Sequence, residues 1–395
     1  MTSMNAITEN QRTAPSWTDW KWQQRNATRS AEQLLQIFPG LAPEAYEMIR
    51  RNQETRRLQI TPYTLSLIRR TTDGSAPQPD DPIWRQCVPQ WATEGTTGYE
   101  YDGETENWEM PEEMVTPIAQ HKYDNRIIVR LSNVCHGYCQ FCYEALRTLE
   151  KDSVKEPFQQ KYWAATVDYV QRRPAIEEVI LSGGDPLMLT DEQLDHVLGD
   201  LRRLDREITV RVHTRALTFN PFRITEELVE VLCRHHLNAL GLHVNHPVEI
   251  TPEFRDAVAR LRRAVPIVFA NIPLLGGIND DVTTMHDLVM ALYAVGVIPH
   301  YLYHFMPFSP GAAEFRTSVR RGIEIIRALK RHVSNLAVPE FVLPHRSGKH
   351  SIPLLGENEP WPQWLTDDDG HPIIRYTNWR GEVVDYFDAP AGNQV

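Results

Sequence analysis

The sequence predicts an α/β protein whose parallel sheet curls into an incomplete (β/α)6 barrel. Strand-like and helix-like patterns alternate from Arg126 to about His332, and six such units can be counted. Polar residues follow several of the predicted strands, where parallel barrels carry their function. The length of 395 residues allows one large domain of this kind with appendages at both ends.

Composition narrows the class of protein further. Hydrophobic residues make up 42% and charged residues 24%, which are ordinary globular values. A net charge of −11 argues against a nucleic-acid-binding surface, and no apolar run is long enough for a transmembrane helix. The N-terminus lacks the basic start and apolar core of a secretory signal. Because three of the five cysteines share one motif, we expect a reducing, cytoplasmic environment.

The chain divides into four predicted regions. Residues 1–16 are polar and are expected to form a disordered tail. Residues 17–118 are predicted as a helical and extended N-terminal region, with helices to about Leu58 and an extended surface loop over 71–118, which is rich in Gly, Pro, Asp and Thr. Residues 119–335 are assigned to the barrel, and residues 336–395 to a C-terminal segment with a hairpin over 373–387.

The barrel elements follow from hydrophobic periodicity. Apolar runs bounded by turn residues predict the strands, and apolar stripes with period 3.6 predict the helices. The predicted strands are Arg126–Ser132, Glu178–Ser182, Thr209–Thr214, Ala239–Val244, Pro266–Ile272 and Ile298–Phe305. Predicted helices between them include Asp191–Leu204, Thr225–His236, Thr251–Ala264 and Val282–Val295.

Three thiols follow directly after the first predicted strand. Cys135, Cys139 and Cys142 have the spacing C-x3-C-x2-C. Thiolates on one loop at this spacing can hold three irons of a [4Fe–4S] cluster and leave the fourth iron for a substrate or cofactor. A zinc site is one alternative, with His136 as fourth ligand, although its position beside Cys135 strains tetrahedral closure. Incidental thiols are another, whereas three thiols cannot pair off as disulfides.

Two further polar groups follow predicted strands. Ser182-Gly183-Gly184-Asp185 ends the second strand, and its glycines let a ligand approach the backbone closely while Asp185 adds an acceptor. Taken alone, this segment is equally well an ordinary turn. The segment from His243 to Glu249, which includes Asn245, follows the fourth strand; it suits ribose or carboxylate contacts, or simply caps the next helix.

Lys349 lies in a Gly-containing loop between apolar segments. Most lysines in such loops are solvated. The alternative is a lysine that holds pyridoxal phosphate as a Schiff base, which needs cations for the phosphate. The segments Lys122–Arg126 and Arg211–Arg215 contain such cations. The pattern alone does not decide between these readings.

Taken together, these segments resemble the lysine 2,3-aminomutase family of radical S-adenosylmethionine enzymes, which also use pyridoxal phosphate. The resemblance covers residues from about 17 to 387. Its matching segments are 17–23, 60–68, 123–126, 181–185, 222–225, 243–251, 277–280 and 315–317.

The resemblance implies cofactors at the predicted thiol loop. S-adenosylmethionine would chelate the open iron, and the reduced cluster would cleave it to a 5′-deoxyadenosyl radical that takes a hydrogen atom from the substrate. Phe141 would shield the cluster, and the Gly-Gly-Asp turn would contact the amino group of S-adenosylmethionine. Asn271 stands where the family has a glutamine near this cofactor. The family also implies an electron donor of flavodoxin or ferredoxin type, and often a homo-oligomer.

The resemblance also settles how Lys349 is interpreted. In the family the matching lysine forms the Schiff base with pyridoxal phosphate. The positions matched by Lys122, Tyr123, Arg126 and Arg215 line that pocket and hold the phosphate. Lys122 replaces a family arginine, which keeps the charge but loses the two-pronged geometry.

The sequence departs from the family where the substrate should bind. Glu144 replaces the arginine that binds the α-carboxylate of lysine, and a carboxylate cannot perform that role. The two family aspartates that recognise the ε-ammonium are missing from the segments around Met306 and His345–Arg346. We therefore expect an amino acid other than free L-lysine, or one with a modified carboxylate. Glu144, Arg147, Met306, His345 and Arg346 are the candidate substrate residues, unless Glu144 merely pairs with an arginine.

The expected activity is thus migration of an amino group from Cα to Cβ of an amino-acid-like small molecule. Two alternatives stay open. The same cofactors could serve elimination, decarboxylation or epimerisation, and a non-enzyme reading is an iron–sulfur scaffold or regulator. Because the C-terminal cysteine cluster that binds zinc in some members is absent, no zinc is expected.

Overall fold

The computed structural model describes most of the chain. The described residues are 12–90, 110–144, 148, 158, 160–306, 311–345, 348–351, 363–368, 370, 372–377 and 382–387. The predicted disordered tail therefore lies largely outside them. Within these ranges, no helix combines the length and the hydropathy that a membrane span requires.

Short helices make up the N-terminal region. They are α1 (Trp20–Arg25), α2 (Ala31–Ile37), α3 (Pro43–Asn52), α4 (Pro62–Leu65) and α5 (Pro82–Cys87). The apolar side chains of α2, α3 and α5 form a core of their own, which Phe219 joins from outside this region. The N-terminal region therefore packs against the rest of the protein through continuous apolar contacts.

A ten-stranded sheet organises the centre of the molecule. Its strands are β1 (Met114–Thr116), β2 (Ala119–Tyr123), β3 (Arg126–Ser132), β4 (Glu178–Gly183), β5 (Thr209–Thr214), β6 (Ala239–His243), β7 (Ile267–Pro273), β8 (Ile298–Tyr303), β9 (Glu340–His345) and β10 (Gly348–Ser351). Neighbours in space are neighbours in sequence, β3 to β9 are parallel, and β1, β2 and β10 are antiparallel additions at the two edges.

Helices alternate with the parallel strands. They are α6 (Gln160–Gln171), α7 (Asp191–Arg202), α8 (Ala216–Phe219), α9 (Glu226–Arg234), α10 (Pro252–Leu261), α11 (Val282–Ala294), α12 (Ala312–Phe315) and α13 (Val319–His332). Hydroxyl or carboxylate side chains at the residue before the helix, such as Thr190, Thr225 and Asp281, accept from backbone N–H groups of the first turn. This capping fixes where each helix begins. Their apolar stripes then pack on the sheet in one large core.

A separate sheet lies near the C-terminus. Strands β11 (Gln363–Thr366), β12 (Pro372–Thr377) and β13 (Val383–Phe387) pair antiparallel. The predicted hairpin over 373–387 corresponds to β12 and β13, and β11 is an additional strand.

Two predictions about local structure were wrong. Residues 71–118 are not extended throughout, because α5 begins at Asp81 as N-cap and buries Ile83 and Trp84. Lys349 does not lie in a loop, since it belongs to β10 at the edge of the main sheet. The parallel run also has one strand more than predicted, namely β9.

Candidate active site

The main sheet surrounds one large cavity of about 300 Å3. Its walls come from strands β2 to β10, from the thiol loop that follows β3 and from the loops that follow β4, β5, β6 and β8. The predicted residues that line it are Cys135, Cys139, Cys142, Phe141, Ser182, Gly183, Gly184, Asp185, His243, Asn245, Asn271, Lys122, Tyr123, Arg126, Arg215, Lys349, Glu144 and Met306. Residues from these strands and loops therefore meet in one space.

The three thiols stand at one end of this cavity. None of the three forms a disulfide, and Cys142 Sγ lies 3.3 Å from the Thr148 hydroxyl. Among the described residues, no three His, Cys, Asp or Glu side chains surround a point suited to a single metal ion. A [4Fe–4S] cluster spreads its thiolates over several ångströms and needs only three of them to leave one iron open, so this donor set fits a cluster.

His136 faces away from the thiols, in contrast to the zinc alternative. The ring is fully buried, and its Nδ1 lies 3.0 Å from the Gln24 side-chain amide. Burial, together with the charge of Arg223, lowers the pKa of His136 to about 3. A ring held in this way packs the thiol loop against α1 and is turned from the cavity.

Glutamine side chains of the N-terminal region hold the backbone of the thiol loop. Gln24 and Gln59 donate to the carbonyl of His136 at 3.0 and 3.1 Å, and Gln59 also donates to the carbonyl of Cys135 at 3.0 Å. From within the loop, Gln140 donates back to the carbonyl of Arg57 at 3.0 Å. The N-terminal region is thus part of the site, although no motif in the sequence indicated it.

The Gly-Gly-Asp turn packs directly on the thiol loop. The N–H groups of Gly184 and Asp185 donate to the carbonyls of Ser132 and Val134 at 2.6 and 2.9 Å. A Cβ on Gly184 would lie 2.4 Å from the Val134 oxygen, and Gly183 has a φ of +120° that other residues rarely adopt. The glycines are therefore required by contact between two backbone segments.

The Asp185 carboxylate is occupied by the protein itself. It accepts from the Thr214 hydroxyl at 2.8 and 2.9 Å and from the N–H groups of Leu187 and Arg215, both at 2.9 Å. Burial raises its pKa to about 6, against the effect of these donors. Asp185 thus joins the ends of β4 and β5, and its oxygens accept hydrogen bonds from the protein instead of facing the cavity.

Arg215 lies at the thiol end of the cavity. Its Nη1 is 2.6 Å from Cys139 Sγ, its Nη2 is 2.6 Å from the Gln86 side-chain oxygen, and the Glu249 carboxylate is 3.4 Å away. This differs from the expectation that Arg215 holds a phosphate near Lys349. Glu249 belongs to a segment that the sequence had already singled out, whereas nothing in the sequence marked Gln86.

Some residues that line the cavity have buried polar atoms without a hydrogen-bond partner among the described residues. They include the side-chain oxygen of Asn271, Nε2 of His213 and Nε of Arg211. Because buried polar groups are nearly always hydrogen-bonded, such atoms indicate where a ligand could supply the missing contact. Asn271 is a predicted residue, and His213 is one that the sequence reasoning missed.

Lys349 lines another part of the cavity, the lysine end, together with Tyr301 and Tyr303 of β8. Its ammonium nitrogen lies 4.7 Å from the ring centre of Tyr301 and 5.2 Å from that of Tyr303, and its backbone N–H donates to the Tyr123 hydroxyl at 3.2 Å. The side chain is exposed toward the cavity, yet partial withdrawal from bulk water, with the charges of Arg211 and Arg126, lowers its pKa to about 8. Such an amine is uncharged more often than an ordinary lysine.

Arg126 and Arg211 are the cations beside Lys349. The Arg126 guanidinium stacks 3.9 Å from the Tyr123 ring, and Arg211 pairs with Glu178 at 3.2 Å. Lys122 lines the same cavity and pairs with Glu113 at 3.0 Å. Arg211 lies in a segment that the sequence analysis identified as containing cations. The resemblance, however, assigned the phosphate contact to Arg215.

Ring side chains form the cavity wall between the two ends. His213, Gly241 and Phe269 are register partners on β5, β6 and β7, and a Cβ on Gly241 would lie 2.8 Å from the Phe269 ring. The His213 ring lies 5.7 Å from Phe269 and 5.8 Å from His243. Burial lowers the pKa of His243 to about 4, with help from Arg215 and Lys349, and that of His213 well below its usual value. Both rings are therefore uncharged at neutral pH.

Glu144 is half of a buried ion pair. Its carboxylate accepts from Arg130 Nε at 2.8 Å, and the side chains are only 3% and 2% exposed. Arg130 also donates to Gln120 at 3.3 Å, and Gln120 donates to Glu113 at 2.7 Å. The structure therefore contains the alternative in which Glu144 pairs with an arginine.

The remaining substrate candidates are not all described. Arg147 and Arg346 lie outside the described residues, as does the side chain of His345. Met306 lines the cavity with its neighbour Phe305 and with Pro344.

Comparisons with known proteins identify chains that are similar to this one. Residues 129–289 match the Radical SAM superfamily. An L-lysine 2,3-aminomutase from Acetoanaerobium sticklandii is 33% identical over 94% of this chain and 84% of that protein. A glutamate 2,3-aminomutase from Clostridioides difficile is 30% identical over 96% and 85%. Among solved structures, coproporphyrinogen III oxidase from Escherichia coli aligns with a TM-score of 0.36 and 14% identity over 53% of this chain and 54% of that one.

The sequence match and the three-thiol loop define a radical SAM enzyme, a class that implies a [4Fe–4S] cluster and S-adenosylmethionine. Relatives at this identity over most of both chains define the family more narrowly. The chain belongs to the lysine 2,3-aminomutase family, which confirms the resemblance seen in the sequence and indicates an isomerase.

Proposed function

We propose that this protein is a radical SAM, pyridoxal-phosphate-dependent aminomutase. It would move the amino group of an α-amino acid other than free L-lysine from Cα to Cβ. One observation carries the proposal. A single cavity is lined by three thiols and, at its lysine end, by a lysine of lowered pKa.

The thiol end suits the cluster and S-adenosylmethionine. Cys135, Cys139 and Cys142 would hold the irons. The Asn271 side-chain oxygen lacks a protein partner among the described residues and would accept a hydrogen bond from the nucleoside cofactor. Phe141, which packs 5.4 Å from Phe315, would cover the cluster. Gly183 and Gly184 serve by keeping the thiol loop close to β4.

The lysine end suits pyridoxal phosphate. Lys349 would attach it, and Arg126, Arg211 and the Tyr123 hydroxyl would receive its phosphate, because guanidinium groups bind phosphate through paired donors. The rings of His213 and Phe269, which meet edge to face, would give the pyridine ring aromatic contacts. This set replaces Arg215 by Arg211 in the predicted phosphate site.

The chemistry divides between the cofactors and the chain. Pyridoxal phosphate supplies an aldehyde for a substrate amine and a ring that spreads an unpaired electron. The chain keeps Lys349 partly uncharged near neutral pH and keeps His213 and His243 neutral. It also lines the cavity with aromatic side chains. An external one-electron donor of flavodoxin or ferredoxin type would reduce the cluster.

The residues at the family's substrate-binding positions favour a molecule unlike free lysine. Glu144 is committed to Arg130, so the charge at this family position is balanced within the protein. Met306 lies in one of the two segments where the family has an aspartate for the ε-ammonium group of lysine. It lines the cavity with Phe305 and Pro344, and none of these three side chains can pair with an ammonium group. An α-amino acid with an uncharged or weakly polar side chain fits better than one with a cationic end. No zinc is required by this proposal.

Anaerobic reconstitution tests the proposal. The protein is loaded with iron, sulfide, pyridoxal phosphate and S-adenosylmethionine, reduced, and supplied with a panel of amino acids that includes L-lysine. We expect 5′-deoxyadenosine and a β-amino acid with an uncharged substrate, and neither product with Lys349→Ala. Tight binding and turnover of L-lysine would contradict the substrate assignment.

The altered substrate-binding positions are also compatible with a different reaction of the same cofactors. Elimination, decarboxylation or epimerisation would each give a product of different mass or stereochemistry. Mass spectrometry of the product, with deuterium followed from labelled substrate into 5′-deoxyadenosine, distinguishes these reactions from amino migration.

A further inference from the structure

Arg215 is a charged side chain in direct contact with a thiol of the loop. Its Nη1 donates to Cys139 Sγ, and Nε donates to the Thr218 hydroxyl at 3.2 Å. The side chain is 9% exposed, so water screens its charge poorly. Phe219 and Phe141 cover the guanidinium at 4.6 and 5.6 Å.

Two side chains share the second terminal nitrogen of Arg215. The Gln86 oxygen is 2.6 Å from Nη2, whereas the two Glu249 oxygens are 3.4 and 3.5 Å from it. Gln86 also donates to Glu249 at 2.9 Å. Gln86 therefore stands between the cation and the carboxylate and keeps the Arg215–Glu249 pair from closing fully.

This arrangement has an electrostatic consequence for a cluster on the thiols. Reduction adds one negative charge to the cluster, and a nearby cation or an N–H donor to a ligating sulfur stabilises the added charge. A closer Arg215–Glu249 pair would weaken that effect, because the carboxylate would neutralise the cation and draw it from Cys139.

We propose that Arg215 raises the reduction potential of the [4Fe–4S] cluster through its contact with Cys139, and that Gln86 is the positioning residue that holds it there. The reaction concerned is one-electron reduction of the [4Fe–4S]2+ state to [4Fe–4S]+ by the external donor. The inference rests on the proposed function for the presence of the cluster, but on no assumption about pyridoxal phosphate or substrate.

A redox titration followed by electron paramagnetic resonance tests this inference. The full chain is reconstituted with iron and sulfide alone, and the reduced signal is measured against potential. For Arg215→Met we expect about a tenfold lower ratio of reduced to oxidised cluster at a given potential, which corresponds to 59 mV for one electron. For Gln86→Leu we expect a change in the same direction of about two- to fivefold.

Gln23→Leu is the matched control. Gln23 is a buried glutamine of the same region that donates to the Trp17 carbonyl and accepts from the Tyr63 N–H, so neither of these hydrogen bonds is to the thiol loop. Its potential should equal that of the wild type. If Arg215→Met does not retain the cluster, Gln86→Leu decides the question.

An unchanged potential in Arg215→Met or, where that variant holds no cluster, in Gln86→Leu would overturn the inference. A weaker binding of S-adenosylmethionine with unchanged potential would assign Arg215 to that cofactor instead. A wild-type protein that assembles no cluster would refute the proposed function itself, which is a separate result.

Discussion

The buried pair between Arg130 and Glu144 makes a quantitative prediction about stability. Glu144→Gln removes the carboxylate and leaves the Arg130 guanidinium in a site where it is 3% exposed. Two charges about 4 Å apart at an effective dielectric constant of about 20 interact with about 4 kcal/mol. Breaking a buried pair by removing one partner generally costs about 3–5 kcal/mol.

The neighbouring contacts refine that figure. The Gln120 oxygen still accepts from Arg130 after the substitution, at the 3.3 Å seen here, and therefore compensates part of the loss. We expect Glu144→Gln to lower the free energy of unfolding by about 3 kcal/mol, near the low end of that range. Replacing both members by apolar side chains, in Arg130→Met/Glu144→Leu, should change stability by less than about 1 kcal/mol, because no buried charge is then left alone.

Urea unfolding of the apoprotein, followed by circular dichroism, measures these differences. The control is Asp168→Asn, which breaks an exposed pair with Arg172 whose side chains are 54% and 71% exposed, and which should cost no more than about 1 kcal/mol. If Glu144→Gln cost no more than this control, the pair would not be buried as described. The same result would reopen the possibility that Glu144 reads the substrate.

Three further predictions concern the cofactors. Lys349→Ala should abolish the absorbance of bound pyridoxal phosphate while leaving the iron content unchanged, and Cys139→Ala should do the reverse; loss of both in either variant would argue against two separate ends. Because the pKa of Lys349 is lowered to about 8, the rate of pyridoxal phosphate attachment, followed by absorbance, should rise about tenfold per pH unit below 8 and level off above it; continued rise to pH 10 would contradict the assignment. Gly184→Ala should reduce iron content and melting temperature, since its Cβ would lie 2.4 Å from the Val134 oxygen, and unchanged values would mean that the loop can shift without cost.

Much of the fold was predictable because it depends on local periodicity. Strands β3 and β5 were predicted with their observed bounds, and the helices between the strands differed only at their ends. β9 and β10 were harder to predict, since a short segment with His345 and Gly348 has little strand character of its own. Pairing of β9 with β8, and of β10 with β9, supplies what the local sequence lacks.

The site was predictable where the chain order brings residues to strand ends, and unpredictable where partners are distant in sequence. Cys139 and Lys349 could be singled out from spacing and resemblance. The contact of Arg215 with Gln86 joins residues 129 positions apart, and no periodicity encodes it. Arg130 could have been noticed as a charged residue in an apolar strand, but the sequence does not reveal that Glu144 is its partner.

The glutamine contacts on the thiol loop bear on how the metal enters. Ordering a residue costs about 1–2 kcal/mol of backbone entropy, and the hydrogen bonds from Gln24 and Gln59 fix this backbone when the chain folds. The thiol loop is then already ordered when iron binds, so assembly of the cluster need not wait for the loop to become ordered. Because the glutamine amides carry no charge, these hydrogen bonds leave the electrostatic field around the sulfurs to be set by other groups.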